Sequence, residues 1–484
     1  MSGVNYYIGI DLGTSSCKGI LVDRSGKIYR ESSASYPVLT PHDGWTEQDP
    51  GEWLAAARRI IAELSEGVAG DVRGLSVAGQ MHGLVVLDEN DNVIRPCILW
   101  NDGRCEKQTA YLNEVIGRER LSELTGNIAF AGFTAPKLLW MYEEEPELFA
   151  KINKIMLPKD YLAYRLTGVH STDYSDASGM LLVDVEHKCW SDEMLDICRV
   201  KREWLPQLYE SYEVTGKVKA EFGLPDCIVT AGAGDNAAAA IGTGTVRGGS
   251  CNVSLGTSGT IFISQDTFSV DPKNALHSFA HANGRWHLMG CILSAASARK
   301  WWLKDILGDS DYALDEKGAS DATSDVVFLP YLSGERSPHN DVRARGAFVG
   351  LSSTTTRGEM SRAIMEGVAF ALRDCLEVAK SNGVSPCRTT LCGGGAKSGT
   401  WRQIIADTLE LPVDILETEQ GPSMGGAVLA MVGAEEYGGV EDASGVMAKV
   451  AETVMPDPSN YPYYEKKYEI FRRLYPAIRS ASQI

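Results

Sequence analysis

The sequence predicts an α/β protein built from two related halves. Three observations carry that prediction. A strand-turn-strand unit occurs twice in the same frame, as Asp11-Leu12-Gly13-Thr14-Ser15-Ser16 and as Ser254-Leu255-Gly256-Thr257-Ser258-Gly259. Strand-like and helix-like periodicities alternate along the chain, which implies layered sheet and helix. A length of 484 residues with 44% hydrophobic content is enough to bury more than one core.

In chain order, Tyr6 to Leu12, the cluster GTSSCKG and then GILVD read as strand, tight turn, strand, because aliphatic and β-branched residues flank small polar ones. Gly74 to Ala78 and Leu84 to Asp88 read as strands that place Gly79-Gln80-Met81-His82-Gly83 at a strand edge. Cys227 to Ile241 reads as a buried strand, a Gly-Ala-Gly turn and a helix opening near Asn236, with Asp235 as its N-cap. The halves are expected to part near Thr243 to Gly249, giving domains 1–246 and 247–484. Cys251 to Ile263 repeats the first hairpin. Thr356 to Lys380 opens on the capping box Thr356-x-x-Glu359 and carries Met360, Ile364, Val368, Leu372 and Leu376 at four-residue steps, the stripe of a buried helix. A strand at Thr389 to Cys392, the turn Gly393-Gly394-Gly395 and a helix from Trp401 follow.

Composition excludes several classes of function. A formal charge of −18 argues against nucleic acid as a partner, since duplex binding rests on clustered Lys and Arg. No apolar run approaches the ~18–20 residues of a membrane span, and the short polar start Met1 to Tyr7 is unlike a signal peptide. The eleven cysteines are odd in number, scattered and without a CxxC pair, which fits a reducing compartment. A soluble cytoplasmic protein is the expectation.

The first hairpin loop offers what a phosphate and its metal need. Gly13, Thr14 and Ser15 give close backbone approach and hydroxyl donors, Lys18 a cation, and Asp11 a strand-end carboxylate able to hold Mg²⁺ directly or through water. Gly256, Thr257 and Ser258 repeat the device. Neither GxxxxGK[ST] nor a GxGxxG between strand and helix occurs, which disfavours P-loop and NAD enzymes. Asp235 after its glycines is a candidate acceptor of a hydroxyl proton, expected to be kept ionised by the helix N-terminus; the plain alternative is an Asp that only caps. Gln80 and His82 suit a polyhydroxylated ligand, and Trp100-Asn101-Asp102-Gly103-Arg104 adds an aromatic with polar groups, or else a turn around a packed Trp. Gly394, Gly395, Ala396 and Lys397 could let the backbone pass close to a nucleobase.

Together these pieces resemble the FGGY carbohydrate kinases, over essentially the whole chain. Gly132-Phe133-Thr134-Ala135-Pro136-Lys137-Leu138-Leu139-Trp140 and Gly346 to Leu351 continuing through Glu366-Gly367 are similar to that family's signatures. The resemblance implies the two-domain actin, Hsp70 and hexokinase-like (ribonuclease H-like) ATPase fold with a cleft between domains. It implies ATP and Mg²⁺ as cofactors, with Asp11 and Asp235 at the metal, Asp235 as proton acceptor, both GTS loops at the phosphates and Gly394 to Lys397 at adenosine. Gly79 to Gly83, Trp100 to Arg104 and Leu157-Pro158-Lys159-Asp160-Tyr161-Leu162 are most similar to the members acting on D-xylulose, which implies transfer to its C5 hydroxyl and Met81 and His82 at the sugar. Gln80, Trp100, Asp102 and Arg104 complete the expected sugar contacts. Two other readings stay open: the same chemistry on L-ribulose or gluconate, and a non-catalytic ATP-binding regulator. A homodimer enters only by analogy with the family.

Overall fold

The protein is described by a computed structural model covering residues 4–418 and 421–482. Two seven-stranded sheets form its frame. Their strands, numbered in chain order, are β1 (Tyr6–Leu12), β2 (Ser16–Asp23), β3 (Ile28–Ser35), β4 (Val72–Gly79), β5 (Val214–Lys217), β6 (Ile228–Thr230) and β7 (Ala233–Gly234) in the first half. The second half supplies β8 (Cys251–Leu255), β9 (Gly259–Gln265), β10 (His277–Ala280), β11 (Trp286–Ile292), β12 (Thr389–Cys392), β13 (Val413–Leu416) and β14 (Val450–Val454). The helices that matter for the site are α1 (Pro50–Ser65), α2 (Thr134–Glu144), α3 (Pro158–Thr167), α4 (Asp235–Gly242), α5 (Arg357–Ser381), α6 (Gly399–Leu409) and α7 (Gly421–Gly433).

The first sheet runs β5-β6-β4-β1-β2-β3, with β7 also on β4, and the second runs β10-β11-β9-β8-β12-β13-β14. In each, an antiparallel hairpin (β1–β2, β8–β9) has a parallel neighbour on its first strand (β4, β12). Helix α1 precedes β4 and α5 precedes β12, so the repeat read in the sequence is a repeat of topology.

Period-two alternation explains why the first sheet is covered on both faces. Ile8, Ile10 and Leu12 pack with Trp53, Ile60 and Leu64 of α1. Tyr7, Ile20 and Val22 point the other way, into a cluster with Ala237 and Ile241 of α4 and Met424, Val428 and Met431 of α7. Helix α7 thus comes from the second half of the chain and covers the first sheet. It lies so close to α4 that a Cβ on Gly425 would stand 1.9 Å from the Ala238 carbonyl oxygen. The Ala-rich run of α4 and the glycines of α7 are there for that approach, which sets both helix starts at the cleft.

The capping box of α5 forms as read: Glu359 N–H donates to Thr356 Oγ1 at 3.3 Å and Thr356 N–H to Glu359 Oε2 at 2.7 Å. Its stripe of Ile364, Val368, Leu372 and Leu376 is buried in the second core. All eleven cysteines are free thiols. Among the described residues no helix is long and apolar enough to cross a membrane.

Candidate active site

Asp11 stands near the end of β1, directly across the hairpin from Lys18. It is half-buried, and burial raises its carboxyl to about 6 although Lys18 pulls the other way. The turn closes with Gly13 N–H donating to Ser16 O at 3.1 Å. Thr14 is held from three sides. Its hydroxyl donates to Gln80 Oε1 at 3.2 Å and accepts from Trp100 Nε1 at 3.0 Å, while Gln48 Nε2 donates to its carbonyl at 2.6 Å. Gln80 Nε2 in turn donates to Gln48 Oε1 at 3.0 Å. The polar groups of Gln80 and Trp100 are therefore engaged with the β1–β2 hairpin loop. Trp100 is not the packed residue of the turn reading, since 39% of it is exposed.

Gly234 is the cap of α4 and Asp235 its first residue, one position earlier than the sequence suggests. Asp235 Oδ1 accepts from the Asn236 N–H at 2.7 Å and from Asn236 Nδ2 at 3.0 Å. The expectation that the helix start keeps this group ionised is corrected by the structure. Burial first, and the charge of Asp11 second, raise Asp235 to about 7, and the Asn236 N–H offsets only part of that. Such a carboxylate is poised near neutrality.

The turn before Asp235 is held by a buried ion cluster on α3. Lys159 Nζ meets Asp160 Oδ1 at 2.6 Å and Asp173 Oδ1 at 2.9 Å and donates to Ala231 O at 3.3 Å. Asp173 Oδ2 accepts from Ser175 Oγ, which accepts from Gly234 N–H at 3.2 Å. The segment Leu157 to Leu162 thus positions Asp235 from behind.

His82 sits in the left-handed region at φ 69°. Its Nδ1 lies 2.8 Å from Gly179 O, so Nδ1 carries the proton and Nε2 is left as an acceptor. Burial, then nearby Lys137, push the imidazole down to about 3, so it is neutral. Its ring stacks on Phe133 at 4.6 Å. Lys137 Nζ donates to His82 O at 2.8 Å and to Gly132 O, which is why Phe133 and Lys137 of α2 and its approach belong together. Met81 is 5% exposed, and its sulfur lies 3.9 Å from Asn236 Nδ2, joining this loop to α4.

Asp102 and Arg104 play a different part. The fully buried Arg104 side chain bridges Asp102 Oδ2 and Glu47 Oε1, each at 2.7 Å, and lies 3.8 Å over the Trp45 ring. Asp102 Oδ2 also accepts from Thr46 N–H at 2.6 Å. The pair clamps two loops together, leaving no guanidinium donor of Arg104 facing outward.

Two cavities open between the halves. One, of ≈ 310 Å³, is lined by Asp235, Asn236 and Thr243 of the first half and by Ser254, Cys392, Gly393 and Ala396 of the second. Gly393 has φ 86°, and a Cβ there would lie 2.8 Å from the Leu255 carbonyl, so the glycine turn is required for strand β12 to pass the β8 hairpin. Of the expected glycine-turn contacts, Ala396 reaches the wall, whereas Gly394, Gly395 and Lys397 are not part of it; Arg402, Leu416, Thr418 and Pro422 are, and carried no motif that could have named them. Next to this turn, the carbonyls of Gly256 and Thr257 accept from Ala296 and Ala295 N–H at 2.9 and 3.0 Å, which anchors the second GTS loop. The other cavity, of ≈ 450 Å³, has Trp100, Asp102 and Phe130 on one side and Leu293, Glu335 and Arg336 on the other.

Among the described residues no group of three or more His, Cys, Asp or Glu is gathered as a metal cage. Asp11 and Asp235 still fit a hard divalent cation. Both carboxyls are raised by burial and one further by the other, a strain that a cation relieves, and Mg²⁺ needs only one or two protein carboxylates beside phosphate and water.

Comparison with known proteins now decides the family. Residues 6–242 match the N-terminal domain, and residues 251–434 the C-terminal domain, of the FGGY family of carbohydrate kinases. The chain belongs to this family. It is a carbohydrate kinase, and as an FGGY kinase it uses ATP. It is 42% identical to the xylulose kinase of Escherichia coli (strain K12), over 97% of this chain and 98% of that protein. A ligand-bound xylulose kinase from Lactobacillus acidophilus superposes with a TM-score of 0.95 at 27% identity, covering 99% of each chain. A gluconate kinase from the same organism superposes with a TM-score of 0.94 at 28% identity, covering 98% of each. The two-domain FGGY fold is therefore shared by kinases named for different sugars.

Gln48, Lys159, Ser175 and Lys137 are the supports of this FGGY site that sequence reasoning did not single out. Only the Lys137 and Lys159 segments gave a signal, through the family signatures.

Proposed function

We propose that this FGGY kinase phosphorylates D-xylulose on its C5 hydroxyl, with Asp235 accepting the proton. The observation that supports this reading best is the placement of Asp235, at the edge of the cavity that runs to Gly393 and Ala396 and against the Met81–His82 loop. The overlays on xylulose and gluconate kinases are equally good, so they do not choose between those sugars. The identity of 42% to a xylulose kinase over nearly the whole chain does favour D-xylulose.

ATP lies along the cavity toward Gly393 and Ala396, with its phosphates between Gly13, Thr14, Ser15 and Lys18 on one side and Gly256, Thr257 and Ser258 on the other. Asp11 and Asp235 are the residues that would hold Mg²⁺. When bound, the ion neutralises charge on the transferring phosphoryl group. Neutral His82 accepts a sugar hydroxyl at Nε2, and Met81 covers the apolar side of the sugar. Asp235 takes the C5 hydroxyl proton as the new O–P bond forms and the bond to the bridging oxygen of ADP breaks. With a cation bound beside it, the carboxyl would be lowered again and kept ionised, able to accept that proton. Closure of the two halves then excludes water as a competing acceptor.

Asp235→Ala should lower kcat for sugar-dependent ADP release by roughly 10²–10⁴ while KM changes far less. A folded variant with near-normal turnover would remove Asp235 from the base role.

A further inference from the structure

The cavity between Trp100 and the second half contains two side chains that the mechanism above does not use. Glu335 is 1% exposed, lines the cavity and is only half satisfied. Its Oε1 accepts from Leu293 N–H at 2.9 Å and from Arg336 N–H at 2.8 Å, but its Oε2 has no hydrogen-bond partner. A buried polar atom left in that state calls for a partner, and Glu335 as a residue lines the cavity. Burial raises the Glu335 carboxyl to about 8, so it serves as a neutral donor and acceptor rather than as a fixed charge. Beside it the half-buried Arg336 guanidinium also lines the cavity, and among the described residues it makes no ion pair or hydrogen bond.

A chain of ring contacts joins these residues to the sugar loop. Arg336 lies 5.4 Å over the Phe130 ring, Phe130 meets Phe133 edge-on at 5.3 Å, and Phe133 stacks on His82 at 4.6 Å. His82 and Arg336 thus stand at the two ends of one aromatic cluster, one from each half, near enough that the Arg336 charge acts on the imidazole. Guanidinium N–H groups are donors only, so their natural partner on an uncharged sugar is its strongest acceptor, the carbonyl of an open-chain ketose.

We propose that Arg336, braced by Glu335, is a sugar-contacting residue of the second half that recognises the ketone end of the substrate, away from the hydroxyl that is phosphorylated. This rests on the D-xylulose reading. It makes the sugar pocket complete only when both halves contribute, and it assigns discrimination between a ketose and the corresponding polyol to a residue outside the Gln80 to His82 loop.

The test is steady-state kinetics of the full chain with D-xylulose, with xylitol, which lacks the carbonyl, and with varied ATP. Arg336→Met is expected to raise KM for D-xylulose by about 10- to 100-fold, the range for a lost hydrogen bond to a charged group, with KM for ATP unchanged. The preference for D-xylulose over xylitol in kcat/KM should fall by the same factor, a readout that mere loosening of the fold would not move. Arg336→Lys, which keeps a charged donor, should recover part of that preference. An unchanged preference in both variants, or a defect confined to KM for ATP, overturns the inference while leaving the proposed function standing. A parent enzyme inactive on D-xylulose overturns the proposed function first, and the inference with it.

Discussion

Asp235 gains one backbone N–H from Asn236 and loses most of its water beside Asp11, and the loss prevails, moving its carboxyl to about 7. An ordinary unfolded Asp titrates near ~3.9, so the native state resists ionising this group. The stability it contributes is full below the unfolded value and is lost as pH rises through about 7. Asp235→Asn, which never ionises, should therefore melt above the parent at pH ~8 in magnesium-free buffer, with the gap narrowing toward pH ~5. A gap that is constant with pH, or of opposite sign, would show that the carboxyl is not strained. At this scale the sequence showed which residue types gather, because Asp11, Met81, His82 and Asp235 lie beside glycine turns that are visible in one dimension. It did not show where the amide of Gln80 or the guanidinium of Arg104 points. Those directions depend on Gln48 and Glu47, which form a short strand paired with Cys97 and Ile98, a pairing that only the folded chain sets.

Among the elements, α3 and α7 teach most about what a pattern contains. The segment Leu157 to Leu162 was legible as a family signature, but its task emerges only from the fold, where Lys159 balances Asp160 and Asp173 and ties the Ala231 to Gly234 turn. Lys159→Met leaves those carboxylates buried without their cation and should cost roughly 3–5 kcal/mol, measured by urea unfolding. A loss under about 1 kcal/mol would mean that the aspartates are neutral and the cluster is not ionic. Helix α5 is the opposite case, since a capping box and a four-residue stripe fixed both its start and its buried face. Helix α7 had no amphipathic stripe to say which sheet it would cover. Its attachment to the first sheet is decided by a close Gly–Ala contact that only the structure reveals.

For the whole molecule, the duplicated hairpin was the strongest fold signal, and it corresponds to two sheets of matching order with cavities lined from both sides. Residues from opposite halves that line one cavity should draw together when both substrates bind. The radius of gyration from solution scattering should accordingly fall on adding D-xylulose with a non-hydrolysable ATP analogue, and fall less with either alone. The sugar itself was the least legible property, because kinases for xylulose and gluconate overlay this chain equally well. The most direct measurement is ADP release by the purified protein with Mg-ATP across D-xylulose, L-xylulose, L-ribulose, gluconate and glycerol, against a blank without sugar. Strong turnover confined to D-xylulose, with only slow hydrolysis in the blank, is the expected result. Turnover that prefers gluconate or L-ribulose would contradict the sugar assignment, and an absence of sugar-stimulated release would contradict the role given to Asp235.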